Sequence, residues 1–245
     1  MAENFLLIHG AYHGAWCWAA VSAPLMRMGH RASAIDLPGH GASSYDRAKA
    51  NLQVYTDALV QYVEQNDLHD LVLVGHSMAG TVLTLASPLI RRRLKRVIFV
   101  DAIVLHEGER LADFIAPERA GMIDEALARP DRCMPVSEAF AERFRATFIQ
   151  DASRDLQDFV LAALNPQPVA PYLDRIANAP FFKLDLPTSY VYLEDDLVMP
   201  PGRFHPFFTG RLKQPSMRTI KCGHEAMFTQ PLALARALEE LARES

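Results

Sequence analysis

The sequence predicts an α/β fold: a mostly parallel six-stranded sheet flanked by helices, with a helical cap inserted near the middle. Three observations carry this. Six short runs are β-rich, and several are continuously apolar, as strands buried on both faces must be. Stretches with helical spacing or helix-end residues separate them, and that alternation builds a parallel sheet covered on both faces. Between Asp101 and Pro187 the alternation stops, and helix-like pieces follow one another without an intervening strand.

The first expected strand is 5–8. A helix over 15–28 follows, closed by Gly29, which accepts the left-handed conformation of a helix end. The second strand is 31–35, and 52–65 carries apolar residues at helical spacing. Strand 71–74 leads into a helix over 81–90 that Ser87-Pro88 kinks or breaks. Strand 97–100 is the fourth. Helix-like pieces then span 117–128, 137–149 and 151–164, before Pro166, Pro168 and Pro171 interrupt the chain. Phe114, Ile115, Met122, Phe140, Phe144, Phe148 and Phe159 supply this stretch with apolar material of its own, most of it needed for packing. Strands 189–193 and 217–220 resume the sheet, and Pro231 opens a last helix running to about Arg243. Residues 1–104 and 181–245 therefore form the core, and 105–180 the cap.

With 245 residues, half of them hydrophobic and 22% charged, the chain has globular composition and length enough for one deep core. A net charge of −4 argues against a nucleic-acid partner and offers no basic surface to anionic lipid. The one basic cluster, Arg91 to Arg96, reads as a solvated helix C-terminus. The apolar run 5–8 is too short for a signal or membrane segment. Cys17, Cys133 and Cys222 form no C-x-x-C pair, which fits reduced thiols, a cytoplasmic location and no metal.

Gly75-His76-Ser77-Met78-Ala79-Gly80 lies between a buried strand and a helix. A serine in so sharp a turn needs small neighbours, and Gly75 and Ala79 flank Ser77 at the two positions where a nucleophile elbow asks for glycine. Ala79 departs from that pattern, and Gly80 follows one residue late. The plainer alternative is a helix N-cap serine. A nucleophilic serine requires a base and an acid to orient the base. The later strands supply both: 189–193 ends in Glu194-Asp195-Asp196, and 217–220 in Lys221-Cys222-Gly223-His224. The carboxyl ends of strands in an open α/β sheet converge on one crevice, so Ser77, Asp196 and His224 can meet. Asp196 is preferred to Asp195 because the D-x-x-x-P run after it turns the chain; Asp101 is a further candidate. Two backbone N–H groups are needed for an oxyanion, and Met78 and Ala11 are the expected donors. Gly10 allows close approach, and His9 and His13 brace the loop. The loop 36–43 lacks the motifs of a phosphate cradle.

These motifs resemble the α/β-hydrolase superfamily along nearly the whole chain. Within it, His9 to Trp16 together with Gly75-His76-Ser77-Met78 is similar to the branch of plant methyl-ester esterases, hydroxynitrile lyases and bacterial relatives. Leu164-Asn165-Pro166-Gln167-Pro168 resembles a lid segment of bacterial members. The resemblance implies an α/β-hydrolase fold, a cap over a small apolar cavity, no metal or organic cofactor, and a substrate side formed with Gly10, His13 and Trp16. The lyases of the branch place threonine and lysine where this chain has Gly10 and Glu225, which speaks against cyanide chemistry. The expected activity is hydrolysis of a small, apolar or aromatic carboxylic ester through an acyl-enzyme. The alternatives are a ligand receptor on a hydrolase shell, or a C–C hydrolase or cofactor-free oxygenase using the same histidine. The expected partner is a small-molecule ester; a homodimer is left open.

Overall fold

The computed structural model describes residues 1–116 and 120–244. In chain order the elements are β1 (Asn4–Ile8), α1 (Ala19–Arg27), β2 (Arg31–Ile35), α2 (Leu52–Gln65), β3 (Leu71–His76), α3 (Ala79–Ala86) and β4 (Leu94–Val100). The inserted stretch contains α4 (Gly121–Ala128), β5 (Cys133–Met134), α5 (Glu138–Thr147), α6 (Arg154–Ala163), β6 (Gln167–Pro168) and α7 (Ala170–Leu173). The chain closes with β7 (Thr188–Leu193), β8 (Ser216–Ile220), α8 (Ala226–Thr229) and α9 (Pro231–Arg243).

The main sheet has the order β2-β1-β3-β4-β7-β8, and its strand pairs are parallel. The inner strands β1, β3 and β4 are largely apolar and buried because both of their faces are covered, whereas the edge strands β2 and β8 carry Ser33, Arg218 and Thr219 and are only partly buried. Along β1, Leu6 and Ile8 join Tyr55 and Leu59 of α2 on one face, while Phe5 and Leu7 join Leu25 of α1 and Leu238 of α9 on the other. The helix ends obey local chemistry. Asn51 caps α2 by accepting from the Val54 N–H at 2.9 Å, and Gly29 closes the α1 turn at φ +90°. The helix expected over 81–90 runs instead from Ala79 to Ala86; the Ser87 hydroxyl bonds back to the Leu83 carbonyl at 2.6 Å, and Pro88 cannot continue the ladder.

The inserted stretch has its own apolar centre, where Phe140, Phe144, Ile149 and Val160 pack with Tyr12 of the core. Ser137 and Ser153 cap α5 and α6. Phe159 does not contribute, being 65% exposed on α6. The first three residues of the helix expected over 117–128 lie outside the described residues. One feature was not expected: β5 and β6 pair as a short antiparallel ladder that ties the segment before α5 to the segment after α6. Among the described residues, no helix is long and apolar enough to cross a membrane.

Candidate active site

Ser77 follows β3 directly and carries φ +54°, a strained value for a residue with a side chain. Its backbone is tied on both sides: its N–H donates to the Val100 carbonyl at 3.2 Å, and the Ile103 N–H donates to its carbonyl at 3.0 Å. The neighbours must be small for specific reasons. A Cβ on Gly75 would lie 2.6 Å from Leu83 Cδ1, and one on Gly80 would lie 2.4 Å from the Ile103 carbonyl oxygen. Ala79 is buried without such a conflict, so the second essential glycine of this turn stands at 80, where the chain after β4 crosses α3.

The acid and base arrive from the ends of β7 and β8. His224 Nδ1–H donates to Asp196 Oδ2 in a short hydrogen bond, and both side chains are almost fully buried. Asp196 Oδ1 accepts from the Val198 N–H at 2.6 Å, which orients the carboxylate. Asp195 is exposed; its backbone bonds to Cys222 and Gln150. Burial alone would lower the His224 pKa, but the charge of Asp196 and its hydrogen bond outweigh it and raise the value above 6.5. His76, buried and held neutral by desolvation and by the neighbouring His224, donates Nε2–H to the His224 carbonyl at 3.0 Å. Its ring lies 4.4 Å from the His224 ring, and Phe148 and Phe204 flank that imidazole at 5.4 and 5.7 Å. Carboxylate oxygens of Asp101 and Asp196 and a ring nitrogen of His224 lie within 4.8 Å of one another, the one metal-ligand-like cluster among the described residues. Its imidazole Nδ1 and Asp196 are already committed to each other, which suits a hydrogen-bonded relay better than a metal.

Ser77, Met78, Ala11 and Phe148 line one cavity of ≈ 90 Å³. Among the described residues, neither the Ala11 nor the Met78 backbone N–H donates to another backbone group. A Cβ on Gly10 would come within 3.0 Å of Ser77 Cβ, so glycine there brings the first loop against the serine. His9 Nδ1–H donates to the Gly10 carbonyl at 2.7 Å, and His9 Nε2 accepts from Leu37 N–H at 3.0 Å, so this residue braces the loop as expected. His13 likewise donates Nδ1–H to the Ala11 carbonyl at 2.8 Å.

Gly10, His13 and Trp16 do not line the cavity, contrary to expectation. His13 turns its Nε2 to the buried Glu225 carboxylate at 3.3 Å, and its ring stacks on Trp16, which in turn packs on Phe228 behind the loop. Residues not anticipated take the lining positions. Tyr12 reaches the cavity from a backbone at φ +66°, and Arg143 and Tyr172 bring polar groups from the inserted stretch into a wall otherwise dominated by methionine, leucine, isoleucine and phenylalanine. The Arg143 guanidinium lies 5.1 Å over the Phe140 ring, with Nη1 3.3 Å from Met122 Sδ.

The segment after α6 clasps both loops of the core. Gln167 Oε1 accepts from the Tyr12 N–H at 2.9 Å and from His40 Nε2–H at 3.0 Å. Asn165 N–H donates to the Tyr12 carbonyl at 2.8 Å, and Asn165 Oδ1 accepts from the Gly41 N–H at 2.6 Å.

The family model described as "Alpha/beta hydrolase family" matches residues 5–237. The chain is similar to Methylesterase 7 of Arabidopsis thaliana, 27% identical over 98% of this chain and 96% of that protein. It is also similar to the carbendazim hydrolyzing esterase of a Nocardioides strain, 26% identical over 97% of this chain and 99% of that one. Among solved structures, an extracellular alpha/beta-hydrolase from a Paenibacillus species, described as sharing structural and functional homology with tobacco Salicylic Acid Binding Protein 2, superposes with TM-score 0.91 at 27% identity, covering 99% of this chain and 100% of that one. Polyneuridine aldehyde esterase shares the fold, with TM-score 0.78 at 18% identity over 99% of this chain and 100% of that one.

Proposed function

This chain belongs to the alpha/beta hydrolase family, and from that premise we propose that it is a carboxylic ester hydrolase whose nucleophile is Ser77. The observation that carries the reading is the buried Asp196–His224 hydrogen bond beside a cavity that Ser77 lines from a strained strand-to-helix turn. Ser77 Oγ attacks the ester carbonyl while His224 Nε2 takes its proton; Asp196, bonded to Nδ1, holds the tautomer and offsets the imidazolium charge. The N–H groups of Ala11 and Met78 receive the oxyanion. His224 then protonates the departing alcohol, and a water activated by the same nitrogen hydrolyses the acyl-enzyme.

The apolar and sulfur-rich wall supports an apolar or aromatic substrate. Relatives named as methylesterases support a small alkoxy leaving group; a thioester, lactone or amide would be cleaved by the same steps. Gly10 and Glu225 stand where the lyases of this branch carry a hydroxyl and a cation; Glu225 is buried and acidic, a poor receptor for a developing cyanide.

Labelling with a fluorophosphonate probe beside a panel of short-chain p-nitrophenyl and methyl esters tests the proposal. Rapid labelling and turnover, both lost in Ser77→Ala, are the expected result. A protein that neither labels nor shows Ser77-dependent turnover overturns it and favours a ligand-binding role for the cavity.

A further inference from the structure

Asp101 directly follows β4 as Ser77 directly follows β3, and it too carries a strained backbone, at φ +35°. Its residue is fully buried. One oxygen, Oδ1, accepts from the Leu193 N–H at 3.2 Å, while Oδ2 is buried with no hydrogen-bond partner among the described residues. The neighbouring carboxylate is Asp196, and an oxygen of each, with a nitrogen of His224, lies within 4.8 Å of the others.

Two carboxyl groups this close and this dry cannot both ionise, so the pair holds one proton. Which member holds it follows from the hydrogen bonds. Both oxygens of Asp196 accept, one from His224 Nδ1–H and one from the Val198 N–H, an arrangement that favours its anion. Asp101 has a single donor on Oδ1 and an orphaned Oδ2, the place for an acid proton. Resting on the assignment of Asp196 and His224 above, we propose that Asp101 is a positioning residue that keeps its proton at neutral pH and donates a hydrogen bond to Asp196, so that a carboxyl–carboxylate pair, not a lone carboxylate, supports the imidazole.

Burial first, and then the Asp196 charge, hold the Asp101 pKa well above the ordinary carboxylate value, in agreement with this assignment. The other titratable groups that share its field are Tyr190 and Tyr192 on β7, Cys222 after β8, and His224. Tyr190 donates its hydroxyl to the Ala102 carbonyl, and its own pKa and that of Cys222, pushed up to about 12, keep both neutral. Asp196 and His224 are left as the partners whose charge matters. A hydrogen bond from Asp101 draws charge from Asp196 and limits how far that carboxylate can raise His224. The imidazole then deprotonates closer to neutral pH, in time to act as a base.

The experiment compares the acid limb of kcat/KM for a p-nitrophenyl ester in the natural enzyme, Asp101→Asn and Asp101→Leu. Asn keeps a donor that cannot ionise, and its limb stays near the natural position. Leu removes the donor; its limb moves up by about half a pH unit or more, and kcat falls about tenfold with KM little changed. A limb that is unmoved in Asp101→Leu, or moved alike in both variants, overturns the proposal. Infrared spectroscopy gives a readout independent of the Leu variant's folding: a protonated-carboxyl band at neutral pH in the natural protein, absent from Asp101→Asn. Lack of that band overturns the proposal even where Ser77 labels normally, whereas failure of Ser77 to label strikes the hydrolase reading and leaves the band untouched.

Discussion

Replacing Gly80 by alanine tests why the second small residue of the elbow is displaced by one position. The new Cβ would sit 2.4 Å from the Ile103 carbonyl oxygen, with the Ile103 carbonyl carbon and Ala102 Cβ each at 3.1 Å. These are backbone and near-backbone atoms that cannot rotate away. The start of α3 and the 102–103 segment must therefore separate by about 1 Å to restore ordinary contact. Overpacking of this kind costs about 1–3 kcal/mol. The same movement stretches the Ile103 N–H bond to the Ser77 carbonyl, worth about 1 kcal/mol. Alanine returns at most about 1 kcal/mol through its better helix propensity. The net expectation is a loss of about 2 kcal/mol in urea unfolding, a fall in Tm of about 4–8 °C for a chain of this size. Since the strained bond pair also aims Ser77, a displacement near 1 Å should cut ester kcat by about 10²-fold. Ala79→Gly, which relieves nothing, should cost only about 0.5–1 kcal/mol. Gly80→Ala within about 0.5 kcal/mol of the natural protein, or less harmful than Ala79→Gly, would refute the packing argument.

Other consequences follow from the same geometry. Asp196→Asn should lower kcat by about 10⁴-fold through the wrong His224 tautomer, whereas Asp195→Asn, on an exposed side chain, should leave kcat almost unchanged; steady-state kinetics on one ester separates them. The acid limb of kcat/KM should have its midpoint above 6.5, because Asp196 raises the His224 pKa despite burial; a limb below that value contradicts the pairing. Burial lowers the His40 pKa to about 4, so the unfolded chain takes up a proton below 6.5 that the folded chain refuses; stability should drop by about 2 kcal/mol from this residue alone on going to pH 5, read by urea melts at the two pH values. Asp101 has the opposite sign: its folded pKa is raised, so its penalty grows as pH rises above the ordinary value of 3.8, and the Tm of Asp101→Asn relative to the natural protein should climb between pH 4 and 7.

What could be read in the sequence is what short stretches dictate. Each of the six strands is a short local run, the inner ones apolar enough for burial on both faces, and α2 and α9 begin and end where Asn51, Pro231 and the apolar spacing require. Ser77, Asp196 and His224 stand at strand ends in a fixed order, so topology alone was enough to bring them to one side of the sheet. The choice of Asp196 over Asp195 rested on the turn that follows, and the Val198 N–H bond is that turn. The misses depend on partners far away in the chain. Nothing around Tyr12 signals a positive φ, because the conformation is held by Gln167 and Asn165, more than 150 residues later. The two-residue β5 and β6 are too short for any period, and Pro168 disguises one of them. His13 and Trp16 carry the motif of the first loop but serve it from behind, a distinction that only the position of Glu225 decides.

The clasp made by Asn165 and Gln167 sets where this protein can be cut and recombined. A chimera that exchanges residues 105–180 as a block would discard both amide side chains, and with them the fastening of Tyr12, His40 and Gly41. The host would keep its serine, histidine and aspartate yet lose control over the loop that carries Ala11. Joining donor and host before Leu164 instead retains the host's own clasp and leaves α4, α5 and α6 free to be exchanged, and with them Met122 of α4, Arg143 of α5 and Phe148 just after α5, which line the cavity. The natural seam for altering selectivity in this scaffold thus lies inside the insertion, not at its sequence boundaries.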